Sequence, residues 1–336
     1  MKMAIKIKQP GLFTTVQDEG RIGYQNLGFS IAGALDQYAL KIGQQLIGNK
    51  GPALECTIMG PTIEFKANNT FVITGAPFNA QLNETSVPHQ TVVQANKGDI
   101  LKLNNVVEGA RCYILFGKPL DIPQVANSYS THTRSQIGGF KGRALKSGDY
   151  INCIENDYGH NTLGHKYNGQ LVLDEEVTIH IVEGPQIDAF SATAQNELTT
   201  NTFTISDSSD RMGYRLKGPT ISPEHSADII SEPVALGSIQ VPNDGNPIIL
   251  LNDKQTVGGY TKIANVCQAD LNVLAQLKPG NKIQFKWITI EEATDKLIAE
   301  QEEFAKTLTA ITETPQFEIN EMRNTSSKIA KLLKGE

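Results

Sequence analysis

The chain has 336 residues, with 30 Lys and Arg against 36 Asp and Glu and a net charge of -6. That length exceeds a usual single domain, so two domains of roughly 130 to 170 residues are the natural expectation. The mild, scattered charge gives no basic field for nucleic acid. No stretch approaches the roughly 18 uninterrupted apolar residues of a membrane span, and the first ten residues build no signal-peptide run, so a cytoplasmic location is expected.

Taken in chain order, residues 4–7 are the first of several short alternating or apolar runs bounded by Gly, Pro, Asn and Asp. The others are 62–65, 70–74, 100–103, 112–116, 177–182, 248–251 and 283–287. Strands at such spacing point to barrels or sandwiches rather than alternating β and α units, so the predicted class is mainly β. A helix is predicted over 34–47, where Leu35, Tyr38, Ala39, Ile42 and Leu46 share one face and Gly48-Asn49 ends it. Residues 121–135, rich in Pro, Ser and Thr, read as an inter-domain connection. They divide a first domain, 1–130, from a second, 131–288. Thr289 and Glu292 then form a capping box, and Ala293, Leu297, Phe304 and Leu308 carry a second helix to about Ala310. It lies in a third division, 289–336, where Ile329, Leu332 and Leu333 again have helical spacing.

Cys56, Cys112, Cys153 and Cys267 stand far apart, without a C-x-x-C pair or a histidine at ligand spacing, and read as buried small side chains. His89, His132, His160, His165, His180 and His225 show no metal-like pairing. A phosphate loop, H-E-x-x-H and G-x-S-x-G are all absent.

Three segments could carry chemistry. In the first, Gln17 offers an amide, Asp18 a base or metal contact and Arg21 an anion clamp, beside Gly20, Gly23, Gly28 and Gly33. The alternative is a turn held by a structural Asp and Arg pair. In the second, Arg211 and Arg215 bracket Gly213-Tyr214 after Asp207 and Asp210, and could hold a carboxylate or phosphate bidentately. A solvated, self-paired loop reads equally well. In the third, the run 248–251 delivers Asp253, Gln255 and Thr256 onto a loop in which Gly258-Gly259 permits unusual backbone angles, with Gln240 upstream. A plain Gly-rich hairpin is the other reading. Arg21-x-Gly23-Tyr24-x-x-x-Gly28 and Arg211-x-Gly213-Tyr214-x-x-x-Gly218 share one spacing, which two related halves would explain.

These segments also carry a resemblance. Gly11-Leu12, 14–18, Gly20-Arg21, Gly33-Ala34, Asp36, Gly48-Asn49, Leu54-Glu55 and Gly60-Pro61 look like the N-terminal signature of the allophanate hydrolase subunit 2-like family. The order continues through Gly138-Gly139-Phe140, Gly142-Arg143-Ala144-Leu145, Gly148-Asp149, 210–216, Gly218-Pro219, Ser231-Glu232, 237–242, Gly245, Pro247, Asp253, Gln255-Thr256, Gly258-Gly259-Tyr260 and Ile263-Ala264. The match departs at Gly43-Gln44, where Ala-Asn is expected, in a shortened stretch from Asn49 to Leu54, and at Thr261, where Pro usually follows Gly-Gly-Tyr.

The family includes the C component of 5-oxoprolinase, the carboxyltransferase region of urea carboxylase and an antagonist of a sporulation-kinase inhibitor. The resemblance implies two cyclophilin-like β-barrel domains with a few helices, including a C-terminal one, and a paired, cyclophilin-like B component. Its leading implication is ATP-dependent opening of 5-oxoproline to glutamate together with the A and B components of the same enzyme, with ATP and Mg belonging to the assembly. Carboxyl transfer from carboxybiotin to a urea-like amide is the alternative, although no biotinyl Ala-Met-Lys-Met segment is present and biotin would sit on another protein. A regulatory partner of a kinase inhibitor is the third. By resemblance and chemistry together, Asp18, Arg211 and Asp253 are the expected catalytic set. Gln17, Arg21, Tyr214, Arg215, Gln240, Gln255, Thr256, Gly258, Gly259 and Tyr260 are the expected substrate contacts, with no metal site on the chain.

Overall fold

The computed structural model describes residues 4–155 and 162–321, and His160 and the apolar positions of the tail fall outside them. The chain is mainly β and divides into two compact units. The first comprises Met1–Glu19, Gln37–Leu171 and Phe304–Glu336, and the second Gly20–Asp36 and Val172–Glu303. The expected connection at 121–135 therefore lies inside the first unit. The divisions at 130 and 288 do not coincide with the observed ones. The described helices are α1 (Gln37–Ile47), α2 (Ala192–Thr200), α3 (Leu271–Ala275) and α4 (Ile290–Glu313). None is long and apolar enough to cross a membrane.

The first unit is built from two larger antiparallel sheets and a two-stranded one, His165–Lys166 with Gln316–Phe317. One runs in the order Tyr150–Asn152, Ala4–Gln9, Thr62–Phe65, Ile100–Val106, Phe78–Leu82, Thr85–Ser86. The other runs Phe13–Gln17, Ala53–Thr57, Arg111–Phe116, Asn69–Gly75, Val93–Ala95. Alternation decides which face is inside: on Thr62–Phe65, Ile63 and Phe65 are buried and join Ile5, Ile7, Phe71, Ile73, Ile114 and Phe116 in one core. Helix α1 covers Asn69–Gly75, with the Thr74 hydroxyl donating to the Ala39 carbonyl at 2.7 Å. Gly43 explains one departure from the family pattern, because a Cβ there would run into the Leu115 side chain.

In the second unit one eight-stranded sheet runs in the order Glu176–Glu183, Lys282–Trp287, Thr202–Ile205, Gly213–Lys217, Ile248–Leu250, Ser238–Val241, Val257–Val266, Asp228–Pro233. Its first strand also pairs with Val257–Val266. The core contains Ile179, Phe203, Tyr214, Ile239, Ile249 and Phe285, and Leu35 joins it from Gly20–Asp36. This is why α1 begins three residues later than predicted. Ala34 and Leu35 belong to a segment held in the second unit by Asn252 Nδ2 donating to Ala34 O at 3.0 Å and Gln276 Nε2 to Asp36 at 2.6 Å. Arg21 and Arg211 consequently lie in the same unit, and the echo between them does not mark matching places in two related halves. The capping box of α4 forms as predicted: Thr289 N donates to Glu292 at 2.8 Å and Glu292 N to the Thr289 hydroxyl at 3.1 Å.

Candidate active site

Several residues singled out in the sequence are engaged in holding the fold. In the first unit, Gln17 is fully buried, and its amide donates to Thr15 Oγ1 at 2.9 Å and to Thr131 O at 3.1 Å. Asp18 accepts from the Ser128 hydroxyl and the Tyr129 N–H, both at 2.7 Å, and from the Ser130 hydroxyl. These bonds tie the irregular chain around 128–131 to Phe13–Gln17. Asp18, expected as a base or metal contact, thus has its carboxylate oxygens engaged by three protein donors.

In the second unit, Arg211 and Asp253 form a buried bidentate pair, Nε to Oδ2 at 3.0 Å and Nη2 to Oδ1 at 2.9 Å, and Arg211 Nη2 also donates to Gly33 O at 2.6 Å. The planar guanidinium fits the carboxylate and leaves the fork aimed at Asp253 and the 20–36 segment rather than at a ligand. The two residues expected to be catalytic are therefore paired with each other in this structure. Tyr214, expected as a substrate contact, is a core residue whose hydroxyl donates to Leu277 O at 2.8 Å. Arg215 alternates outward from Tyr214 on the same strand and is exposed. Arg21 is buried, with its backbone N–H donating to Ile31 O at 2.7 Å.

The third segment converges on a polar site, by a route other than the one expected. Gly258 and Gly259 lie inside the strand Val257–Val266, not on a loop, and neither has a positive φ. Their value is close approach. A Cβ on Gly258 would stand 2.6 Å from Gln240 Nε2 and 2.9 Å from Val234 Cγ2, and one on Gly259 would stand 3.2 Å from Ser231 Oγ. Gln240 is 5% exposed and its Nε2 has no hydrogen-bond partner among the described residues. A buried amide left in that state costs about 1–3 kcal/mol, a cost that a ligand oxygen would remove.

Lys254, 3% exposed and given no role by the sequence motifs, reaches the same Val234 whose side chain lies against Gly258. Its ammonium donates to Val234 O at 2.6 Å and Gln255 O at 3.4 Å. No carboxylate pairs with it among the described residues, and burial lowers its pKa below the ordinary lysine value. The signal was available in its position: a lysine shortly beyond the apolar strand Ile248–Leu250 is carried inward with Leu251, Asn252 and Asp253.

A bulge completes the site. Ile239 pairs with Ala264 but Gln240 with Lys262, so Ile263 is the extra residue and Lys262 faces Gln240 across the ladder. Lys262 is buried and bonds Glu232 at 2.8 Å, and Gln186 Nε2 donates to the same Glu232 oxygen at 2.8 Å. Lys262 first and Gln186 second hold the Glu232 carboxyl below its usual range. Gln255 and Tyr260 are exposed and Thr256 half-buried at the rim, where Thr256 O accepts from Val234 N at 3.1 Å. Thr261, the other departure from the family pattern, uses its N–H to donate to Ala227 O at 2.9 Å, a bond proline could not make. The site thus offers a desolvated ammonium, an uncommitted amide and an ionised carboxylate. Such groups suit a ligand with a polarised carbonyl oxygen and N–H groups.

A model of the carboxyltransferase domain, subdomains A and B, matches residues 27–287. The chain is 37% identical to the C component of 5-oxoprolinase from Haemophilus influenzae, over 83% of this chain and 89% of that protein. It is 36% identical to the C component of 5-oxoprolinase from Escherichia coli, over 86% and 93%. The crystal structure of K. lactis urea amidolyase superposes with a TM-score of 0.84 at 26% identity, covering 91% of this chain but only 20% of that one. With a family model spanning most of its length and relatives matched nearly end to end, the chain belongs to the carboxyltransferase domain family, subdomains A and B.

Proposed function

We propose that the chain is the C component of an ATP-dependent 5-oxoprolinase, opening 5-oxoproline to glutamate with the A and B components. The observation that carries this reading is the near full-length identity of 36–37% to two proteins of that name. The polar site supports it chemically. A lactam carbonyl is a poor electrophile and becomes a better one when donors draw charge onto its oxygen. Lys254 and Gln240 are such donors, desolvated in advance, so little reorganisation is needed as charge develops. Glu232, held ionised by Lys262, is suited to accept a hydrogen bond from the ring N–H rather than to remove a proton.

ATP supplies the phosphoryl group that makes the lactam oxygen a leaving group. Asp18, expected as a base or metal contact, and Asp253 are engaged by protein donors, and the described residues contain no group of three or more His, Cys, Asp or Glu that could hold a metal. No step on this chain is therefore routed through the nucleotide, which we assign to the assembly. The barrel architecture and the pairing with the B component implied by the resemblance belong to the same proposal. Phosphate release coupled to glutamate formation, requiring the A and B components and this chain, tests it.

A second reading is carboxyl transfer to a urea-like amide, favoured by the backbone likeness to urea amidolyase. It uses the same donors on a ureido oxygen. A supply of carboxybiotin in place of ATP and 5-oxoproline separates the two.

A further inference from the structure

We propose that the first unit carries a second small-molecule site, for an acidic amino acid of the glutamate class, in the cleft between α1 and the C-terminal half of α4. Two contacts relate the directions of the helices. Tyr38 stacks on Phe304 with ring centroids 3.8 Å apart and planes 5° from parallel, and the Gln45 amide donates to the Thr312 hydroxyl. Both contacts advance in the same direction along the two helices, so the helices run parallel and meet about two turns apart, roughly 10–12 Å. A cleft of about 520 Å³ opens beside them, lined in part by Lys41, Gln44, Gln45, Lys50, Glu19 and Leu308.

The lining has the features of a recognition site rather than of a packing defect. Gln44 is 8% exposed, faces the cleft, and its side-chain amide has no hydrogen-bond partner among the described residues. Amides at that depth are normally satisfied. Lys41 and Lys50 make no ion pair among the described residues, and neither does Glu19, although all three line the same cleft. Two ammonium groups, one carboxylate, a free amide and the apolar Leu308 match, with opposite sign, a short dicarboxylate bearing one ammonium group. The sequence points the same way: Lys41, Gln44, Gln45 and Gly48 fall at i, i+3, i+4 and i+7, one face of α1 and its end. The Gln44 that departs from the family pattern is the buried amide of this cleft.

The choice of glutamate within that class rests on the proposed function, which makes it the product released; the cleft itself does not. Its residues are separate from Lys254, Gln240 and Glu232, so a product bound there would act as an effector and not as a competitor for those groups. The test is calorimetric titration of the full chain with L-glutamate and, separately, with inorganic phosphate, followed by assembly turnover. The expected result is saturable glutamate binding that Lys50→Ala, at an exposed position, and Gln44→Leu each weaken by about tenfold or more, with unchanged thermal unfolding and little response to phosphate. Absence of saturable binding, unaltered binding in both variants, or a preference for phosphate would overturn the site. If 5-oxoproline turnover is intact while glutamate binding is absent, the cleft proposal fails and the proposed function stands. Glutamate binding lost in the variants alongside an inactive assembly supports the cleft and sinks the function.

Discussion

Replacing Lys254 by Met removes the ammonium and keeps most of the apolar stem. In the folded chain that ammonium makes one short bond to Val234 O, 2.6 Å, and one long bond to Gln255 O, 3.4 Å, in a site 3% exposed. Loss of the short charge-assisted bond costs roughly 1.5–3 kcal/mol, but the substitution also relieves the burial of a cation with no carboxylate beside it. The two effects oppose each other, so the net change in stability is about 1 kcal/mol, a few degrees in Tm for a unit of this size. Catalysis should respond far more. Removal of one donor at a developing oxyanion costs roughly 10²–10³ in kcat. The assay is turnover of the reconstituted assembly alongside thermal unfolding of the isolated chain. A folded variant whose kcat stays within about threefold of the parent would refute the placement of Lys254 at the carbonyl.

Lys254 also sets a pH signature. Its folded pKa lies below the unfolded lysine value of 10.5, so the unfolded chain holds more protons and stability rises with pH between the two values. The parent should therefore gain stability relative to Lys254→Met as pH rises toward 10.5, as followed by Tm across that range; a difference that does not move would contradict the assignment. Arg211→Ala should cost about 3–5 kcal/mol by stranding buried Asp253, whereas Arg211→Met with Asp253→Leu should recover much of it, as read by denaturant unfolding. Gly258→Ala places a methyl group against Gln240 Nε2 and Val234, and should depress turnover while the chain remains folded. Thr261→Pro removes the bond to Ala227 O and should lower Tm by several degrees, despite the family preference for proline there.

What could be read from the sequence was local. The capping box at Thr289 and Glu292 forms as predicted because it involves four neighbouring residues, and the predicted run 112–116 is a strand because its apolar β-forming residues suit a fully buried position. The strand Val257–Val266 was missed because Gly258-Gly259-Tyr260 has the composition of a turn, yet here the glycines serve close approach to Gln240 and Ser231. Membership of 20–36 in the second unit was illegible for a different reason. It is written in contacts made by Asn252, Arg211 and Gln276, more than 170 residues away. The same distance hides the partners of Arg211 and Asp253, which have the residue types of catalysis and, in the fold, also hold the 20–36 segment. Gln240 and Gly258, singled out in the sequence, come together in the structure, whereas Lys254 between them in the chain carried no motif that would single it out.

The most direct test measures phosphate and glutamate together after mixing this chain with the A and B components, ATP and 5-oxoproline. Stoichiometric release of both is expected, dependent on every component and lost with Lys254→Met. Glutamate formation that proceeds equally well without this chain, or a fully active Lys254→Met assembly, would contradict the proposed role.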